Sequence, residues 1–186
     1  MKLSFLSLAL VALLGTASIQ SASAQKAKTV MVGGAPMYPT KNIVENAVNS
    51  KDHTTLVAAV KAAGLVETLQ GPGPFTVFAP TNEAFAALPA GAVDNLLKPE
   101  NKETLTKVLT YHVVAGKMTA ADLTKAIKAG GGQATLKTVS GGTLTAMAKG
   151  KTIELKDEKG GISTVTIADV MQSNGVIHVV NKVLMP

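Results

Sequence analysis

The sequence predicts a mixed α+β fold, and three observations predict it. Up to Gly132 the apolar residues recur mainly at helical spacing, and beyond it the period changes to two. Glycine turns at Ser140-Gly141-Gly142, Lys149-Gly150, Lys159-Gly160-Gly161 and Ser173-Asn174-Gly175 divide the second half into short runs, as antiparallel hairpins require. One strand-like stretch, Phe75 to Ala79, stands inside the helical half and ties the two halves into one domain.

Taken in order, the chain opens with Lys2, an apolar run from Leu3 to Leu14 and the small-residue site Ala22-Ser23-Ala24. That is the pattern of a cleaved secretory signal peptide over 1–24, too short in its apolar part to span a bilayer. Residues 25–40, with Gly33-Gly34, Pro36 and Pro39, read as a flexible or loosely docked arm. Residues 41–186 read as a single domain with one core and no internal repeat. A chain of this size buries roughly 68–70% of its unfolded surface, enough for a core without staples. No cysteine is present, so a secreted form relies on packing rather than disulfides.

Asn42 to Val48 places Ile43, Val44, Ala47 and Val48 on one helical stripe. Asp52 is positioned to cap a second helix carrying Leu56, Val60 and Ala63, which Gly64 ends. Gly71-Pro72-Gly73-Pro74 turns into Phe75-Thr76-Val77-Phe78-Ala79-Pro80-Thr81-Asn82-Glu83-Ala84-Phe85. Aromatic and β-branched residues suit a strand here, and Pro80, lacking an N–H, ends it. Thr81 or Asn82 then caps a helix beginning with Glu83. Three of the chain's four phenylalanines lie in this stretch, so they anchor much of the core. Short helices follow at Ala92–Leu97 and after Pro99, the latter with Leu105, Val108, Leu109 and His112 on one face. Tyr111 to Val114 looks strand-like, and Thr119 to Ala129 reads as a helix closed by three glycines. The remaining candidate strands are Ala134–Val139, Thr143–Ala148, Thr152–Lys156, Ser163–Ala168 and Val176–Leu184.

The formal net charge is +6, and all 18 basic residues are lysine. Without arginine, bidentate phosphate and guanine contacts are missing, which argues against specific nucleic-acid recognition. Scattered lysines form a solvated basic surface with weak attraction for anionic polysaccharide. His53, His112 and His178 show no paired ligand spacing, so no metal site and no cofactor is expected. Gly150-Lys151-Thr152 resembles the end of a phosphate loop, but the first glycine of that motif is replaced by Thr145 and a strand follows. There is no nucleophile elbow and no recognisable carboxylate pair, so no catalytic residue is assigned and the protein is not expected to be an enzyme. Tyr111-His112 is the most prominent polar pair, either held against the core or part of a partner-binding patch. Alternation puts His178 on one strand face with Val176 and Val180, in a structural setting.

With these residues in place, the chain resembles the fasciclin (fasciclin I-like) domain family, and its bacterial secreted single-domain members most. Phe75 to Phe85 resembles the first family signature, Tyr111-His112 the central tyrosine–histidine motif, and Asn174 to Leu184 the second signature. The helical entry at Asn42-Ile43-Val44 and Leu56 to Leu65 extends the likeness to about residues 41–185. The resemblance implies a twisted β-sandwich or wedge flanked by several helices. It makes Phe75, Phe78, Pro80, Thr81, Asn82, Phe85, Gly175, His178 and Asn181 structural signature positions. It also implies an extracellular or periplasmic adhesion module whose partner is a cell-surface or matrix protein or glycan. Partner binding would carry over to Tyr111 and His112 and to Asp169 and Val170, the latter within Ile167-Ala168-Asp169-Val170-Met171, which lacks the Glu-Pro of animal members. A small-molecule or polysaccharide-binding protein and a structural envelope component are the alternatives, and a monomer is the default.

Overall fold

A computed structural model describes residues 29–186, and the signal peptide read at 1–24 lies outside the described residues. Helices dominate as far as Ala129 and strands thereafter, in a mixed α+β fold. The expected loose arm differs from the structure in its described part. β1 (Val30–Val32) and β2 (Ala35–Met37) form an antiparallel hairpin. Gly33 and Gly34 both have positive φ, 57° and 76°, as a two-residue hairpin turn demands. Val32 and Met37 point inward, 4% and 3% exposed, so the hairpin is docked on the core. Three-residue strands are too short to show the alternation that would reveal them.

α1 (Ile43–Ala47) is set by a capping box, in which Asn42 Oδ1 accepts from Glu45 N and Glu45 Oε2 accepts from Asn42 N. α2 (Thr54–Ala63) ends at Gly64 in the left-handed conformation. Asp52 does not cap α2. It sits in a single 3-10 turn, Lys51–His53, and Asn82 reaches across from the later signature instead. Asn82 Oδ1 accepts from Thr55 N at 3.0 Å while Asn82 Nδ2 donates to Lys51 O at 2.8 Å. A further helix, α3 (Val66–Gln70), follows before β3 (Phe75–Pro80). Thr81 Oγ1 accepts from Ala84 N and caps α4 (Asn82–Ala86), so the adjacent Thr81 and Asn82 cap two different helices.

α5 (Ala92–Leu96) and α6 (Lys102–Tyr111) lead to β4 (Val113–Ala115). Tyr111 and His112 therefore finish a helix rather than open a strand. α7 (Ala120–Ala129) precedes β5 (Gln133–Lys137), β6 (Thr143–Lys149), β7 (Thr152–Lys156), β8 (Ile162–Gln172) and β9 (Gly175–Val180). β8 runs four residues past the expected end at Ala168, because register shifts between Val165 and Val170 interrupt its alternation. β9 stops at Val180 rather than Leu184. There Asn181 Oδ1 accepts from Thr164 N at 2.8 Å, and a side chain replaces the ladder.

The seven-stranded sheet has the order β4-β3-β9-β8-β7-β6-β5. β3 and β9 are parallel and the other pairs antiparallel. A bridge between Val114 and Thr138, with Val139 N donating to Val113 O at 2.8 Å, joins the two edges and nearly closes the sheet. This nearly closed sheet with its helices is the form taken by the twisted β-sandwich or wedge that the family resemblance implies. Instead of one core there are two buried clusters, divided by the β3–β9 pair. Val77, Ala79, Ile177 and Val179 face α1, α2, α4 and α6 on one side. Phe78 and Val180 join Leu123, Leu144, Leu155 and Leu184 on the other. Gly175 lets the strands start in register, since a Cβ there would stand 2.1 Å from the Phe75 carbonyl oxygen.

Phe78 is fully buried. Phe78→Ala is expected to lower stability by about 3–5 kcal/mol in urea unfolding, and a loss below about 1 kcal/mol would remove Phe78 from the core.

Candidate functional site

Three of the four residues singled out for partner binding are inside the protein. Tyr111 is fully buried, with its ring against Gly142, where a Cβ would come within 2.8 Å of the ring. Its hydroxyl donates to Thr143 O at 2.6 Å and accepts from Glu158 N at 3.1 Å, so one phenol latches two hairpin turns. Burial pushes its pKa up.

His112 is 2% exposed and caps the end of α6. The Leu184 amide donates to Nε2 at 2.9 Å, which leaves the proton on Nδ1 to be donated to Val108 O at 2.8 Å. Both ring nitrogens are committed to the neutral form. Burial holds the pKa down at about 4, against smaller opposing pulls from the Val108 carbonyl and Asp157.

Asp169 and Val170 lie in the irregular middle of β8. Val170 is buried in the first core. Asp169 takes a left-handed backbone, φ 57°, a conformation costing a non-glycine residue roughly 1–2 kcal/mol. That bend turns its carboxylate onto the start of α7, where Oδ1 accepts from Ala120 N at 2.7 Å. Negative charge at a helix N-terminus offsets part of the strain. The Asp169 amide donates to His178 Nδ1 at 3.3 Å, and His178 Nε2 donates to Met118 O at 2.8 Å. His178 also stacks on Phe78, with ring centroids 5.6 Å apart. Thr76 completes this set, donating to Gly116 O and accepting from Met118 N. The loop from Gly116 to Met118 is thereby pinned to the β3–β9 pair.

Sequence reasoning did not single out two other features. The first is a cavity of about 80 Å³ in the first core, bounded by the hairpin, α1, α2 and the β3–β9 pair, with His53 in its wall. The second is the outward face of β5 to β8. Thr135, Thr145, Lys156 and Ile162 form one cross-strand row, and Lys137 pairs with Thr143 beside it. The inward positions of the same strands, Ala134, Ala146, Leu155 and Ser163, are buried. Among the described residues, no group of three or more histidine or carboxylate side chains is arranged to hold a metal ion. No described helix is long and apolar enough to cross a membrane.

Three buried histidines with lowered pKa values set the pH response. Their neutral forms are favoured in the folded state, so the unfolded chain binds more protons below pH about 6.5. Stability is complete above that pH and falls as pH drops towards 4, where His112 alone accounts for about 3 kcal/mol. Urea unfolding between pH 7 and 4 is expected to show this loss, and His112→Asn to flatten the curve while lowering its plateau. A wild-type curve independent of pH across the window would contradict the assignment.

Comparison with known proteins agrees with this architecture. The sequence model of the Fasciclin domain matches residues 51–186. The chain is 48% identical over 161 residues to "Protein sll1483" of Synechocystis sp., covering 86% of this chain and 81% of that one. It is 32% identical over 179 residues to the immunogenic protein MPB70 of Mycobacterium bovis, covering 94% and 82%. In fold it is similar to a FAS1 domain pair from the insect cell adhesion molecule Fasciclin I, with a TM-score of 0.70 at 17% identity, over 78% of this chain and 51% of that one. With the Fasciclin domain matched over residues 51–186 and relatives at 48% and 32% identity along most of its length, the chain belongs to the fasciclin domain family.

Proposed function

We propose that the protein is an extracytoplasmic, non-enzymatic interaction module that attaches to an anionic cell-surface or matrix component through the outward face of β5 to β8. One observation carries this reading. The polar atoms of Tyr111, His112 and His178 are all spent on internal hydrogen bonds, whereas Lys137 and Lys156 stand exposed on the face that carries Thr135 and Thr145, with the Thr143 hydroxyl donated to Glu158. On a sheet face, directly opposed side chains lie about 5 Å apart, so the Lys156 ammonium stands beside the Thr145 hydroxyl. A repeating anionic polymer matches such a row, with lysine supplying attraction and threonine supplying hydrogen bonds.

The net charge of +6 supports the same reading. So do membership of the fasciclin family and the likeness to a cell adhesion molecule. The sequence pattern read as a leader at 1–24 fits export. Tyr111 then acts on binding through the fold, by fixing the turns that set the β5–β6 and β7–β8 edges, and His112 by tying the end of α6 to Leu184.

Binding of the mature protein to purified acidic envelope polysaccharide is expected to weaken steeply between low and physiological salt. Lys137→Glu with Lys156→Glu should abolish it without changing the melting temperature by more than a few degrees. Undiminished binding by that double variant would overturn the assignment of this face.

A further inference from the structure

Asn174-Gly175 is the single asparagine–glycine pair in the chain. Such a pair is the sequence most prone to lose its side-chain amide, because the glycine nitrogen, unshielded by a Cβ, readily reaches the asparagine Cγ. Here the pair sits at the turn between β8 and β9, and the structure engages every polar atom of the half-buried Asn174 side chain. Asn174 Nδ2 donates to Leu69 O at 2.8 Å and to Gly71 O at 3.1 Å, holding the end of α3. Asn174 Oδ1 accepts from Ile43 N at 3.1 Å, the first amide of α1. One amide thus ties the turn to two helices that precede it by 103 to 131 residues.

The main chain is engaged as well. Phe75 N donates to Asn174 O at 3.0 Å. The two-residue turn Ser173-Asn174 closes on the Gln172–Gly175 pair, which in a hairpin of this length exchanges backbone hydrogen bonds. Attack on Cγ requires the Asn174 side chain to leave three partners and the Gly175 N–H to leave the ladder. The docked helices prevent both.

The products of the reaction do not fit this site. At neutral pH an aspartate has no donor, so its carboxylate would face the Leu69 and Gly71 carbonyls where two hydrogen bonds now stand. Isoaspartate also lengthens the main chain by one carbon just before Gly175. A Cβ on Gly175 would already stand 2.1 Å from the Phe75 carbonyl oxygen, so the extra atom displaces the start of β9 from its register with β3.

We propose that Asn174 is a self-modification site gated by folding. It is shielded while α1 and α3 are docked on the turn and deamidated when they come away, and the converted chain does not regain its native stability. In the opened turn the Gly175 nitrogen attacks Asn174 Cγ. The N–Cγ bond forms, the Cγ–Nδ2 bond breaks, and the side-chain nitrogen leaves as ammonia with the Gly175 proton. Water then adds across one of the two carbonyl–nitrogen bonds of the succinimide ring and opens it to aspartate or isoaspartate. Water is the sole co-reactant. The chain has no disulfide to limit opening, so how often this turn comes undone sets how fast native chains are lost.

The test incubates the mature protein at neutral pH, in buffer and in unfolding guanidinium chloride, and follows Asn174 by peptide mass mapping. The unfolded chain is expected to convert Asn174 at least about tenfold faster than the native one. Glu45→Ala removes the capping box of α1 and should speed conversion of the native protein about fivefold, the worth of one helix cap. Chains converted while unfolded and then returned to buffer should unfold at lower urea than unconverted ones. Equal conversion in the native and unfolded states would overturn the proposal. So would a Glu45→Ala rate equal to the wild type, or converted chains with an unchanged urea midpoint. Asn174→Asp supplies the aspartate product without the reaction. Failure to fold or a lowered midpoint supports the proposal, and an unchanged midpoint overturns it.

Discussion

The parallel pairing of β3 with β9 is the constraint on which the rest of the structure depends. Every residue of β9 and all but Phe75 of β3 are buried, because the pair is covered on both faces. Two cores therefore share one wall two strands wide, and side chains that alternate along it are assigned alternately to one core and the other. A shift of one residue would exchange those assignments throughout. Gly175 admits the close approach that starts the pairing, and the Phe78–His178 stack locks a facing pair within it.

A wall buried on both faces leaves no water for its polar side chains, and this governs the chemistry of the whole molecule. Thr76 and His178 can lie in such strands because the Gly116–Met118 loop folds over them and supplies carbonyl and amide partners. Asp169 accepts a left-handed backbone for the same reason, since it bridges the loop's far end, at the start of α7, back to His178. The histidines thereby lose the proton-transfer capacity that makes the residue useful in catalysis. Each is held neutral by burial, and in His112 and His178 both nitrogens are in use.

Much of the fold was legible because its strongest signals are local. The change of period after Gly132 marks the hairpins from β5 to β8, and Gly64 and Thr119 mark helix ends where the structure has them. What escaped was what depends on distance along the chain. Asn82 caps α2 from a position 27 residues beyond Thr55, and no local rule assigns a cap to a helix already past. The β1–β2 hairpin has strands of three residues, and it is ordered by what Val32 and Met37 bury rather than by its own pattern. The Tyr111-His112 pair is conspicuous in the sequence because it is polar amid apolar neighbours. The same contrast arises from a buried latch and from an exposed site, so sequence alone left the two open. The cavity in the first core shows the converse, because its walls come from segments far apart in the chain and only tertiary packing creates it.

The two cores are not equivalent. The second is enclosed by the nearly closed sheet and α7, with Leu123, Leu144, Leu155 and Val180 all buried. Its outer side is the lysine and threonine face. The first is completed by β1, β2 and α1, which precede the segment matched by the family as a whole. The Asn46 amide bonds both the Tyr38 carbonyl and Gln172, and so ties that added segment to the end of β8. The segment matched by the family thus encloses the second core and supplies most of the first, while the hairpin and α1 before it complete one side of the first core and of its cavity.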